Sequence, residues 1–453
     1  MLAIVLSALG IGDASAAVRE IFPSSAGGSC TEEFEDIANT LQPGDELVLH
    51  GGTYAQECRR AVTAIGTSAN PIIIRAATGE VPILSNSPAQ NNLDLVSSSY
   101  LVIRGLHFLG GSQGIVFSGT NHHVTIEDSE VSNTENNAIA LNSGNSDAIT
   151  LRRNHIHHTG QAAGSTEGEG IYLGCHTGSC RTTNSLVEGN YIHHLRGSSS
   201  GGNDGIEVKV GSAGNMIRHN VIHDANIGTQ FPCILVYGGG AAVNIVEGNA
   251  VWNCGEGIYA VADAVVRNNV IINSGAGISS YPHDVVPQMK NLTIVNNTIL
   301  GQQECLFLRW SSVQTVTLAN NALYCGSGSA VEGTGLSGST VLVRSNYVEG
   351  VLIGASMDGT RFIDGGTSAA AFVDPAGKNL WPRPGSILIG NAFAALVPPL
   401  DFNERTRQSP FDVGAYETDG LAGNPGWKIT SGFKPTGPRD LQPPDAPANL
   451  RIF

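Results

Sequence analysis

The feature that most constrains this chain is a repeat, an asparagine opening a short apolar strand. It occurs at Asn154 (NHIHH), Asn190 (NYIHH), Asn220 (NVIHD), Asn249 (NAVWN), Asn269 (NVIIN), Asn297 (NTILG), Asn321 (NALYC) and Asn346 (NYVEG), at spacings of 36, 30, 29, 20, 28, 24 and 25 residues. A second strand follows in the same cycle: GIVF at Gly114, AIAL at Ala138, GIYL at Gly170, GIEVK at Gly205, CILVY at Cys233, GIYA at Gly257 and CLFLR at Cys305. Each piece alternates, is rich in β-branched residues and is bounded by Gly, Asn or Ser, as strands are. One coil of this length cannot bury its own apolar face, so coils must stack. An asparagine at the same turn of each coil can bond both the backbone and the next asparagine, forming a ladder. The repeat therefore predicts an all-β chain, a single right-handed parallel β-helix.

The ends differ from the middle. Thr31 to Thr40 (TEEFEDIANT) is the one plausible helix, expected to cap the exposed edge of the first coil. The expected organisation is a signal peptide over 1–16, a cap and opening coils over 17–70, the β-helix over 71–350, closing coils over 351–419 and a loosely packed Pro/Gly-rich tail over 420–453. The signal peptide reading rests on a short apolar core followed by Ala14-Ser15-Ala16. Eight cysteines fit export to an oxidising compartment. Cys233 with Cys254 and Cys305 with Cys325 recur at 21 and 20 residues in similar contexts, which leaves Cys30 with Cys58 and Cys175 with Cys180. The net charge of −15 argues against a nucleic-acid partner, and no apolar run is long enough to span a membrane as a helix. A monomer acting on an acidic polysaccharide is expected.

Alternation places the chemistry. If Ile206 and Val208 point inward, Glu207 and Lys209 point outward. The same register in other coils turns out Ala140 and Asn142, Tyr172 and Gly174, Leu235 and Tyr237, Tyr259 and Val261, then Phe307 and Arg309. Tyrosine faces beside one lysine and one glutamate suit a sugar chain, with Tyr172, His176, Glu207, Tyr237, Tyr259 and Arg309 as candidate substrate contacts. The longest coils cluster here, with inserted loops after Thr159, Gly174 and Leu195, and a Cys175–Cys180 bridge would hold His176 beside the strip.

The segment from Asn203, NDGIEVKVGSAGNMIRHNVI, resembles the catalytic coil of the alginate lyase and chondroitinase B family of polysaccharide lyases. That resemblance implies β-elimination on a uronate glycan, with Lys209 as the proton-abstracting base and Asp204 as a calcium-ligand carboxylate. The family's second calcium carboxylate would fall at Gly202, and Cys233-ILVYG stands where its arginine-bearing coil is expected. A pectate-lyase-like calcium cluster of Asp204, Glu169 and Glu207 is equally allowed. β-Elimination needs the charge developing on the uronate neutralised and a base of lowered pKa. Calcium, which takes oxygen ligands, meets the first need.

Other readings stay open. A non-catalytic extracellular module that binds glycan or serves structure has the same outer face. Pro282-His283-Asp284 followed by NLTI resembles the catalytic coil of mannuronan epimerases, which would make His283 an acid/base group. Asp204, Glu207 and Glu169 could furnish a hydrolase pair. Finally, His157, His193 and His223 share one offset from their asparagines. Stacked imidazoles there could bind a transition metal or hydrogen-bond one another.

Overall fold

The computed structural model describes residues 16–23, 33–162, 167–196, 202–225, 231–286, 288–301, 303–311 and 313–435. The chain winds as a parallel β-helix whose coils present three faces. The first is a sheet running from Val18–Ile21 through Thr150–Arg152, Leu186–Glu188 and Met216–Arg218 to Val341–Arg344. A second ladder stacks Glu130–Ser132, His155–His157, Tyr191–Leu195, Val221–Ala225, Ala250–Cys254 and Val270–Ile272. A third stacks Ile139–Ser143, Ile171–Leu173, Ile206–Val208, Pro232–Val236, Glu256–Ala260, Ala276–Ser280 and Glu304–Arg309. These pairings are parallel, which requires a crossover between partners; here the crossover is the rest of the coil.

The asparagine repeat forms the expected ladder at the turn between the first two faces. All eight side chains are fully buried. From Asn190 onward each Oδ1 accepts the preceding asparagine's side-chain Nδ2–H, as in Asn190 to Asn220 at 2.9 Å, Asn220 to Asn249 at 3.0 Å and Asn249 to Asn269 at 2.9 Å. The same Oδ1 also accepts a backbone N–H, at 2.9 Å from Asn190 to Asn220. The residue before each rung is left-handed, from Arg153 (φ 52°) and His219 (φ 57°) to Asn320 (φ 56°). Gly and Asn recur at these positions because they tolerate that bend.

The interior is a set of stacked aliphatic columns, of which Ile139, Ile171, Ile206, Ile234, Ile258, Ile278 and Leu306 form one, each fully buried. The predicted helix is present over Glu33–Ala38, with Phe34 and Ala38 in the core. Disulfides join Cys175–Cys180, Cys233–Cys254 and Cys305–Cys325. Cys58 is also disulfide-bonded, while Cys30 and residues 1–15, all but the last residue of the expected signal peptide over 1–16, lie outside the described residues. No helix among the described residues is long and apolar enough to cross a membrane.

Two expectations are corrected. The outward strip omitted a coil: Ala276–Ser280 lies between the strands bearing Tyr259 and Phe307, so Ser279 intervenes in that column. Its sequence, AGISS, carries small residues where its neighbours carry large ones, which hid it. The tail from Gly420, irregular and mostly exposed as far as residue 435, is nonetheless anchored at Ile429 and Lys434. Ile429 joins Phe402, Trp381 and Tyr416 in a second core laid on Val221, Ala250, Trp252 and Val270 of the second ladder. The buried Lys434 ammonium donates to the carbonyls of Gly248 at 2.8 Å and Phe402 at 2.6 Å. Closing coils and tail thus share the task of covering apolar side chains that the second ladder turns outward.

Replacing Asn220 tests the ladder. Asn220→Ala strands the Asn190 N–H and Nδ2–H and removes the side-chain bonds to the Val187 carbonyl and Asn249 Oδ1, all at 2.9–3.0 Å, while Asn249 Oδ1 keeps the Asn220 backbone N–H. A loss of roughly 2–5 kcal/mol in denaturant unfolding is expected, since each buried group left unpaired costs about 1–3 kcal/mol less any relaxation. Asn142→Ala, on the outer register, should cost less than about 0.5 kcal/mol.

Candidate active site

The third ladder brings the predicted residues together. Tyr172 pairs with Glu207, and Glu207 with Leu235, in the expected register. Glu207 and Lys209 leave the interior column as expected but are not solvent-exposed, at 3% and 5% accessibility. The Cys175–Cys180 loop and the tyrosines cover them; loop residues 163–166 and 197–201 lie outside the described residues. Lys209 Nζ forms an ion pair with Glu207 Oε1 and stands 3.5 Å from His176 Nδ1. It also lies 4.5 Å from the Tyr172 ring centroid and 5.1 Å from that of Tyr237. Such contacts hold a cation over the aromatic faces.

Glu169 and Asp204 occupy one position in successive coils, because Gly170 and Gly205 pair beside them. Glycine is required there by close approach: a Cβ on Gly205 would stand 2.6 Å from Ile222 Cγ2 and 2.7 Å from the Cys233 carbonyl. Burial, then the charge of Glu207, pushes Glu169 up to about 8. Asp204 is raised well above the ordinary carboxylate range by burial, then by Glu207 and Glu169. Glu207 Oε2 is buried and makes no hydrogen bond. Three carboxylates thus interact with one another and with a single lysine in a buried, low-dielectric region; their oxygens are the hard ligands calcium prefers, but they do not all lie within 4.8 Å of one another as a ligand set.

His283 reaches the margin of this group. Its ring packs edge-on to Tyr237 at 4.6 Å, with Nε2 3.5 Å from the Tyr237 hydroxyl. Burial lowers its pKa. Burial, then the Glu207 charge, raises the Tyr237 and Tyr172 hydroxyls, so both stay protonated. Tyr259 stacks on Tyr281 at 4.2 Å and donates to the Tyr281 carbonyl at 3.1 Å. Arg309 is not brought to Lys209. It lies four strands along the ladder, roughly 19 Å at the usual strand spacing, and is ion-paired to Glu332 while covering Phe307.

Sequence reasoning missed Glu256, Tyr281 and Glu304, which line a neighbouring cleft of about 710 Å³ with Phe307 and Gln303. Burial pushes Glu256 up to about 7. A signal was available: Glu169-Gly-Ile, Asp204-Gly-Ile and Glu256-Gly-Ile repeat one pattern, and the pairing places all three acids in one column.

The pKa values set a pH dependence. Native Glu169 keeps its proton to about pH 8, whereas an unperturbed glutamate loses it near 4.5. Between those values the native state binds more protons, so stability falls as pH rises. Glu256 acts in the same sense, while Lys434, lowered to about 7 by burial, opposes it at higher pH. Glu169→Gln should therefore match the parent melting temperature at about pH 5 and exceed it at about pH 8, by on the order of a few kcal/mol in stability. An unchanged pH slope would remove Glu169 as the proton carrier.

Residues 167–323 match the family described as right handed beta helix region. Among solved structures, the alginate lyase from Paenibacillus sp. str. FPU-7 is 19% identical with a TM-score of 0.50, over 64% of this chain and 97% of that one. Pectate lyase Pel9A is 13% identical with a TM-score of 0.53, over 90% and 97%. XylC, solved with xylose, is 10% identical with a TM-score of 0.55, over 88% and 98%. No curated protein matches the sequence. The chain is a right-handed parallel β-helix, similar in fold to polysaccharide lyases.

Proposed function

We propose that this protein is an exported polysaccharide lyase that cleaves a uronic-acid-containing glycan by calcium-assisted β-elimination. The observation that carries the reading is Lys209, buried between two tyrosine rings, paired with Glu207 and in the electrostatic field of Glu169 and Asp204. Fold likeness alone would not select an activity, because this scaffold hosts many.

In this reading the amine of Lys209 takes the proton alpha to the uronate carboxylate. The electron pair released forms the ring double bond as the bond from the β-carbon to the glycosidic oxygen breaks. Tyr237, whose hydroxyl stays protonated at rest, supplies the leaving oxygen with a proton, and His283 Nε2, 3.5 Å from that hydroxyl, relays a replacement proton from solvent. Glu207 positions the base, its Oε1 paired with Lys209 Nζ. Calcium held by Glu169, Asp204 and Glu207 would offset the charge developing on the uronate. Tyr172 and His176 flank Lys209, and Tyr259 would extend the sugar platform beyond Tyr237.

A hydrolase is the second reading, favoured by Glu169 and Glu256, which carry protons to about 8 and about 7 as a general acid must.

The decisive experiment follows ultraviolet absorbance and reducing ends together on alginate, pectate and glycosaminoglycan substrates, with calcium and then with chelator. A lyase gives both signals in step, through the unsaturated uronate, and chelation suppresses them. Lys209→Ala should lower the rate about 10²–10⁴-fold. Because that change leaves Glu207 buried without its partner, Glu207→Gln/Lys209→Met serves as the folded control and should be equally inactive. Reducing ends without absorbance would establish hydrolysis instead. Neither signal across the panel would leave a glycan-binding module.

A further inference from the structure

The second ladder carries a different chemistry. His157, His193 and His223 stack in successive coils, with centroids 5.2 and 5.3 Å apart and planes within 4° and 10° of parallel. Trp252 closes the stack on His223 at 4.4 Å. Beside its first member, Glu130, His155 and His157 gather ligand atoms from two adjacent coils. Among the described residues, this is the one group of three His, Cys, Asp or Glu side chains whose ligand atoms all fall within 4.8 Å of one another.

We infer that Glu130, His155 and His157 form a binding site for a divalent transition ion of the zinc class. His157 Nε2 is 3.1 Å from Glu130 Oε1, and His155 Nδ1 is 4.0 Å from Glu130 Oε2. Ligands at bond lengths of about 2.0–2.1 Å around one ion stand roughly 3.0–4.2 Å apart, so two of the ligand pairs already have the required spacing. One carboxylate with two imidazoles suits zinc and its neighbours better than calcium or magnesium.

The support behind these ligands is built as a metal site requires. Metal-bound histidines hold their far ring nitrogen in a hydrogen bond that sets tautomer and orientation. The far nitrogen of His157, Nδ1, is 2.7 Å from His158 Nδ1. That of His155, Nε2, is 2.8 Å from His193 Nε2, and His193 in turn holds His194 through Nδ1 contacts at 2.6 Å. With the bonded protons on those far nitrogens, the lone pairs of His155 Nδ1 and His157 Nε2 face Glu130. His158 and His194 fold back onto their neighbours because each is left-handed, at φ 54°. His107 adds a further nitrogen 3.3 Å from Glu130 Oε1.

The site is open to solvent, with side-chain accessibilities of 38% at Glu130, 32% at His155 and 15% at His157. An ion there would bind neighbouring coils together, since Glu130 pairs with His155 across the ladder. It stands on another face from Lys209, so it does not depend on the lyase reading.

The test is calorimetric titration of the untagged, full-length, chelator-washed protein with Zn²⁺, paired with thermal unfolding. One ion per chain at micromolar affinity or tighter is expected, with a raised melting temperature. His155→Ala/His157→Ala should abolish both effects, and Glu130→Gln should weaken binding while leaving the fold intact. His158→Ala, which removes the partner of the far nitrogen of His157 and no proposed ligand, should cost roughly 10–100-fold in affinity. His122→Ala/His123→Ala removes another imidazole pair, 3.1 Å apart, and should change nothing. Absence of stoichiometric binding would overturn the inference. So would binding that survives both the His155/His157 and Glu130 substitutions, or binding lost with His122 and His123.

Discussion

A parallel coil sends all its backbone N–H and C=O groups along the axis, so each coil is satisfied only by a neighbour that turns at the same place. The buried asparagine ladder enforces that coincidence. From Asn190 onward each Oδ1 accepts from the preceding rung's backbone and side chain, at 2.9 Å for both bonds from Asn190 to Asn220. An unpaired amide at such a depth would cost free energy comparable to several surface contacts. Coils therefore vary in length only away from this turn, and the 36- and 30-residue cycles around Asn190 place their extra residues in loops flanking the third ladder.

The site follows from that restriction. Because the turns are aligned, Glu169, Asp204 and Glu256 fall in one column, and Tyr172, Glu207 and Leu235 in the next. Glycine beside each acid lets neighbouring coils approach closely, which presses the carboxylates into a buried position. Burial is the first cause of the raised Glu169 and Glu256 pKa values, with neighbouring charge adding to it at Glu169. A stack of identical coils thus becomes a site through two departures: acids instead of neutral residues at one register, and inserted loops over it.

The second ladder shows how the same geometry supports other tasks. Its outward column is imidazole at one end, where Glu130, His155 and His157 converge. Further along it is apolar, and there Trp252, Val270 and Ile272 are covered by Phe372, Leu388 and Phe402 from the closing segment. Lys434 completes this cover through backbone carbonyls on both sides of the seam. The Pro- and Gly-rich composition after Gly420 reflects an irregular path across a packed surface, which is why composition alone read as slack chain.

Period and chemistry made the fold legible from the sequence: asparagine at a recurring turn, two-residue alternation and β-branched strands admit few arrangements besides stacked coils. Alternation also placed Glu207 and Lys209 outward and aligned them with Tyr172 and Tyr237. Alternation specifies direction and says nothing of depth, so the burial of that pair could not be read from it. Nor could the displacement of Arg309, because the weakly patterned AGISS coil had to be counted before distances along the ladder were right. The convergence of Glu130 with His155 and His157 joins rungs whose neighbourhood depends on rotamers and left-handed bends. Sequence determined the repeat and its register; only the packed structure decided which outward side chains lie within reach of one another, because coil count, loop cover and ring orientation are properties of neighbours.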